Sequence, residues 1–218
     1  MSIWQKRTSA GDTAIPLDTP LDSLRYVVLD TELTSLEHRT NRLLSVGAIA
    51  MQGASIRLGE QLYSMVNPAV EVPAESVVIH QIRSLDAAAA EDLSKSLEEL
   101  DHFLRGAVLV GHFAHIDLKI LRKEMAQTGH TFENPAVDTA RVHHWLLRQG
   151  PYHDELPLQL EKLDLESVAT FYGCVPESSH HALADAFLTA RIWQKMLVRL
   201  HKSSVRNLGK LLKIAAAK

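Results

Sequence analysis

Four carboxylates stand out by where they fall in the apolar pattern around them. Asp30 and Glu32 lie two residues apart at the end of the run Tyr26-Val27-Val28-Leu29. If that run is a strand, its alternation puts both acids on one face, within reach of a single cation. A lone D-x-E is more often a solvated turn, but here the acids sit where a buried strand meets the surface, a usual ligand position in open α/β sheets. Asp117 follows a strand and a glycine turn, in the first turn of an expected helix. Asp185 occupies a similar place in the last long helix. Each of these two has a simple alternative explanation, since the helix macrodipole favours acids in the first turn. If the four converge, they form an all-oxygen set that suits Mg²⁺ or Mn²⁺.

Imidazoles flank two of these acids. His180 and His181 precede Asp185, with Ser178 or Ser179 as the expected N-cap, which leaves His180 on the loop or at the helix edge. An imidazole titrates near about 6.5, so one beside a fixed ligand suits a general base. His112 and His115, with Asp117, also suggest zinc. That reading ranks lower: a catalytic zinc helix carries H-E-x-x-H on one face, and no third ligand is marked here.

The elements that must position these groups follow from periodicity. Residues 26–29, 43–51 and 61–66 read as three strands of an antiparallel meander, with polar turns near Thr40 and Gly53. A helix is expected over 91–104 from the stripe Leu93, Leu97, Leu100 and Leu104. Strands at 107–110 and 136–137 then alternate with helices at 116–127, 138–148, 163–172 and 181–200. The pattern is an α/β sheet of mixed direction. Residues 1–24 read as an arm or linker, 25–200 as the domain and 201–218 as a basic tail that could form a helix.

With 218 residues, 46% hydrophobic and 22% charged, the chain can bury one sizeable core. The single cysteine, Cys174, rules out an intramolecular disulfide and a multi-cysteine zinc site. Neither a signal peptide nor a bilayer-spanning run is evident, so a soluble, cytoplasmic protein without membrane contact is expected. The net charge of −3 argues against coating long duplexes. It is compatible with an enzyme that grips a chain end and balances its carboxylates with divalent ions.

Taken in order, the motifs resemble the DEDDh 3′–5′ exonucleases, which include the proofreading epsilon subunit of bacterial DNA polymerase III. Asp30-Thr31-Glu32-Leu33-Thr34-Ser35-Leu36 is similar to D-x-E-T-T-G-L, and Asn41 to Ala48 resembles the family's second strand. Val110-Gly111-His112-Phe113-Ala114-His115-Ile116-Asp117 is similar to V-G-H-N-A-x-F-D. His180 and Asp185 match H-x-x-x-x-D, Val137-Asp138-Thr139 matches V-D-T, and Val78-Ile79-His80-Gln81-Ile82 resembles V-H-G-I. His180 stands five residues before the last acid, as the histidine branch requires, which makes His181 a bystander.

The resemblance implies a ribonuclease H-like fold with a five-stranded mixed sheet flanked by helices. It also implies two Mg²⁺ or Mn²⁺ ions held by Asp30, Glu32, Asp117 and Asp185, and His180 taking a proton from the attacking water. The expected substrate is the 3′ end of nucleic acid, single-stranded DNA before RNA, with nucleoside 5′-monophosphates released. An exoribonuclease is the nearest rival, and a non-catalytic nucleic-acid-binding module of the same fold stands further behind. Leu33, Thr34, His80 and Phe113 are the expected contacts to the terminal nucleotide, although core packing competes for Leu33 and Phe113. Leu33, Ser35 and Phe113 depart from the motifs. In the tail, Lys202, Arg206, Lys210 and Lys213 share one side of a helix and Val205, Leu208, Leu212 and Ala215 the other, a surface that could steer nucleic acid or dock a protein partner, although a solvated face on a terminal helix is the commoner arrangement.

Overall fold

A computed structural model describes residues 14–35, 40–149, 163–175 and 180–217. Leu36, Ser178 and Ser179, and most of the proposed N-terminal arm, lie outside the described residues. Five strands form one sheet in the order β3-β2-β1-β4-β5. β1 (Arg25–Leu33) is central, antiparallel to β2 (Leu43–Gln52) and parallel to β4 (Val108–Gly111). β3 (Ser55–Met65) extends the antiparallel side, and β5 (Ala136–Asp138) the parallel side. This is the mixed sheet expected from the sequence.

Alternation along β1 divides the core in two. Tyr26 and Val28 face one side, where α5 (Thr139–Arg148), α6 (Leu165–Phe171) and α7 (Ala182–Lys202) pack. Val27, Leu29 and Leu33 face the other, against α3 (Leu93–Leu104) and α4 (His115–Gln127). Trp193 of α7 is fully buried and meets the edge of Tyr26, with ring centroids 5.5 Å apart. That contact fixes α7 along the central strand.

Three differences from the sequence reading have physical causes. β3 begins at Ser55, not 61, because Gln52 pairs directly with Ser55 across a tight turn at Gly53, whose φ is +53°. Its first half is an edge strand that faces solvent, so no apolar alternation announces it. The helices α1 (Ala74–His80) and α2 (Ser84–Ala88) bury too few residues to show a stripe. Finally, the basic tail packs onto the domain over its described residues. α8 (Leu208–Ala215) buries Leu208, Leu211 and Ala215 in the same core as α7, and Ala217 N–H donates to Ala136 O at 2.8 Å. Part of the expected arm clasps this segment. Leu21 N–H donates to Arg206 O and Leu208 N–H to Thr19 O, both at 3.0 Å. No helix among the described residues is long and apolar enough to cross a membrane.

Candidate metal centre and its surroundings

β1 delivers two acids to the α7 face of the sheet, as its alternation requires. Oxygens of Asp30 and Glu32 lie within 4.8 Å of each other and of an Asp185 oxygen from α7. No other cluster of this kind occurs among the described residues. Asp117, at the start of α4, flanks the three. Its Oδ1 accepts a hydrogen bond from Thr31 Oγ1 at 2.6 Å, and it is the largest charged influence on Asp30. Four acids from three distant segments thus form one electrostatic unit.

That unit is unfavourable by itself. Burial, then the charges of Asp117, Glu32 and Asp185, push Asp30 well above the carboxylate range. Burial, then Asp185 and Asp117, raise Glu32 to about 7. Burial raises Asp117 to about 7 against the opposing hydrogen bond from Thr31. Asp185 is raised by burial too, while the His180 N–H, which donates to Asp185 Oδ2 at 2.8 Å, opposes the shift. Crowded carboxylates with raised pKa values are what a divalent cation would relieve, and an all-oxygen set fits a hard ion.

Asp185 reaches the β1 pair because of a missing side chain. Gly47 on β2 is the cross-strand partner of Asp30. A Cβ at Gly47 would lie 2.2 Å from Leu183 N and 2.3 Å from Ala182 C, so only glycine lets the first turn of α7 rest on the sheet. Gly47 falls within the second-strand motif, but its purpose was not legible there. Thr31 was missed as well, although it sits between the two acids. Asp138 is a third: it caps α5 by accepting from Ala140 N at 2.9 Å and also accepts from Phe113 N at 3.2 Å. It ties the β4–α4 turn to β5.

Among the described residues, His112 and His115 belong to no cluster of metal-ligating groups. His112 Nδ1 bonds Thr139 Oγ1 at 2.8 Å and its Nε2 bonds Leu163 O, so both ring nitrogens are engaged. His115 turns to Asp138, with Nδ1 4.0 Å from Oδ2. His180 is exposed, in a left-handed conformation with φ +63°. His181 is the N-cap residue of α7, and its ring stacks on Tyr63 with centroids 4.7 Å apart.

The expected nucleotide contacts separate into two kinds. Leu33 packs in the core on the α4 face, away from Asp30 and Glu32. Thr34 is buried, and its hydroxyl accepts from Arg42 N at 2.9 Å. Arg42 in turn pairs with the fully buried Glu124 of α4 at 2.9 Å. These two residues hold the strand exit in place. His80 is different: its Nδ1 accepts from Ile82 N at 3.1 Å, which puts the ring proton on Nε2, and that buried Nε2 has no partner. Burial first, then the charge of His180, lower its pKa. Phe113 is partly exposed and left-handed, with φ +52°.

A profile of the RNase_T exonuclease family matches residues 27–193. The chain is 29% identical over 205 residues to a DNA polymerase III subunit epsilon-like protein of Rhodobacter capsulatus, covering 93% of this chain and 28% of that protein. It is 26% identical to the DNA polymerase III subunit epsilon of Aquifex aeolicus over 176 residues, 80% of this chain and 81% of that one. The chain spans about a quarter of the Rhodobacter relative and 14% of a PolC-type DNA polymerase III of Thermotoga maritima. Among solved structures, E. coli exonuclease I in complex with single-stranded DNA superposes with a TM-score of 0.68 at 17% identity, over 84% of this chain and 42% of that one. Cell-death related nuclease 4 matches with a TM-score of 0.68 at 15% identity, over 85% and 66%. The fold is ribonuclease H-like, and the chain belongs to the RNase_T exonuclease family, consistent with its DEDDh motifs.

Proposed function

We propose that this chain hydrolyses phosphodiester bonds at the 3′ end of single-stranded DNA, releasing nucleoside 5′-monophosphates one at a time. The observation that carries this reading is the approach of Asp30, Glu32 and Asp185 to within 4.8 Å, with Asp117 beside them. DNA is preferred over RNA because the relatives are named as DNA polymerase III subunits and the neighbouring exonuclease I binds single-stranded DNA.

Asp30, Glu32, Asp117 and Asp185 would hold two Mg²⁺ or Mn²⁺ ions. Such ions would supply charge stabilisation for both the attacking and the leaving oxygen. The chain's own residues do the rest. His180 accepts the proton of the attacking water on its ring, and its backbone N–H holds Asp185 in place. His80, neutral through burial, offers Nε2–H to the sugar or phosphate of the terminal nucleotide. Phe113 presents an aromatic face on which an unstacked base can rest.

The test is digestion of end-labelled single-stranded DNA and RNA in Mg²⁺, Mn²⁺ or EDTA, beside Asp30→Ala and His180→Ala variants. The expected result is stepwise shortening from the 3′ end that requires metal, Asp30 and His180. Full activity of His180→Ala would overturn the base assignment, and faster loss of RNA would replace DNA as the substrate.

A further inference from the structure

Asp30, Gly47 and Tyr63 form one transverse row across β1, β2 and β3, each directly opposite the next. Residues directly opposite in antiparallel ladders project to the same side of a sheet. The row therefore carries an acid, a vacant position and an aromatic ring on the face that α7 approaches. The first turn of α7 rests over the vacancy at Gly47. At the edge of the sheet, the Tyr63 ring stacks on His181 with an interplanar angle of 19°.

His180 immediately precedes that stacked residue and holds a left-handed backbone. For a residue with a side chain this conformation costs about 1–2 kcal/mol and persists only where its surroundings impose it. Two restraints do so here. On one side, the His180 N–H is bound to Asp185 Oδ2. On the other, His181 is the N-cap of α7 but makes no side-chain cap bond, and its ring is instead held by Tyr63.

We propose that Tyr63 and His181 are a positioning pair that fixes His180 against Asp185, although neither touches the reacting atoms. The role in turnover rests on the exonuclease reading, while the placement of His180 does not. Loss of the stack frees the left-handed residue to relax, which loosens the bond to Asp185 and misplaces the imidazole. Small displacements of a catalytic group lower turnover more than they lower binding.

The experiment compares Tyr63→Ala, Tyr63→Phe, His181→Ala and the Tyr63→Ala/His181→Ala double variant with the intact chain. Steady-state digestion is measured beside the His180 amide resonance by NMR, with circular dichroism to verify folding. Tyr63→Ala and His181→Ala should each lower kcat about tenfold while KM stays within about twofold. The double variant should be no worse than the weaker single, and Tyr63→Phe, which keeps the ring, should stay near the parent. The His180 amide should shift upfield and exchange faster in Tyr63→Ala but not in Tyr63→Phe. An unchanged kcat and amide would overturn the pair. So would a rise in KM alone, which would make Tyr63 a substrate contact, or a Tyr63→Phe variant as impaired as Tyr63→Ala. If the parent digests no nucleic acid, the exonuclease reading fails and the amide measurement still decides the placement.

Discussion

The two halves of the acidic cluster are built by different means. Asp30 and Glu32 come from one strand that is buried on both faces, so the geometry of their pair is local: two residues of β1 and one pleat. Asp185 comes from α7, more than 150 residues later, and its place depends on how closely a helix end can approach a sheet. The strand half needs no particular neighbours to set its spacing. The helix half needs glycine at 47, the His180 N–H and the edge of β3. A strand can fix ligand spacing alone, whereas a helix-borne ligand inherits every tolerance of the interface beneath it.

The sharpest way to break this contrast is to fill the vacancy. In Gly47→Ala the new Cβ would lie 2.2 Å from a backbone nitrogen, and no side-chain rotation relieves that clash. The expected loss is about 3 kcal/mol, with α7 displaced and turnover reduced about a hundredfold. Gly59→Ala on β3 is the control, since nothing lies within 4 Å of its added Cβ. It should stay within about 0.5 kcal/mol of the parent. Denaturant midpoints and initial rates of the two variants check both statements. A Gly47→Ala chain as stable and active as Gly59→Ala would show that α7 finds its place by other contacts.

The next largest effect separates the acids by structural role. Glu32 is raised from 4.5 to about 7, so without metal its folded form favours the proton. Its contribution to stability is complete below about pH 4.5 and is lost as pH rises through about 7. In EDTA at pH 8, Glu32→Gln should therefore stabilise the fold by on the order of 2 kcal/mol, while Mn²⁺ stabilises only the parent strongly. Asp185→Ala should recover less, because it also deletes the acceptor of the His180 N–H, worth about 1 kcal/mol. Thermal scans at pH 5 and pH 8, with and without Mn²⁺, measure this. Equal gains from the two substitutions would mean that the α7 acid has no structural duty.

What could be read from the chain follows the same division. The β1 pair, the central strand and the stripes of α3 and α7 were legible because each is a local pattern of period two or about 3.6. The bond from Thr31 to Asp117 links residues 86 apart, and the contact between Gly47 and Leu183 spans still more of the chain. No periodicity encodes either. The basic segment after 200 was legible on its cationic side only, for a related reason. Its cations are exposed as expected, but its apolar side is covered by Thr19 to Leu24 and by α5, so the chain's own core occupies the face that looked free for a partner.

The smallest predicted effects come from two places where the chain departs from its family's motifs. Gln81 stands where V-H-G-I has glycine, and it caps α1 with φ +60°. Phe113 stands where V-G-H-N-A has asparagine, with φ +52°. Glycine and asparagine are the residues that tolerate this backbone region, so both positions carry strain that the family's residues would relieve. Gln81→Gly and Phe113→Asn should each raise stability by about 1 kcal/mol in urea titrations. Their kinetics should differ. Gln81 is exposed at the end of α1 and has no assigned contact, so its variant should keep KM within about twofold. Phe113→Asn removes the ring proposed to carry a base, worth about 1–3 kcal/mol of stacking, and should raise KM about tenfold while the fold becomes firmer. A Phe113→Asn chain that gains stability and loses no affinity would reduce Phe113 to a strained spacer, leaving His80 as the proposed nucleotide contact.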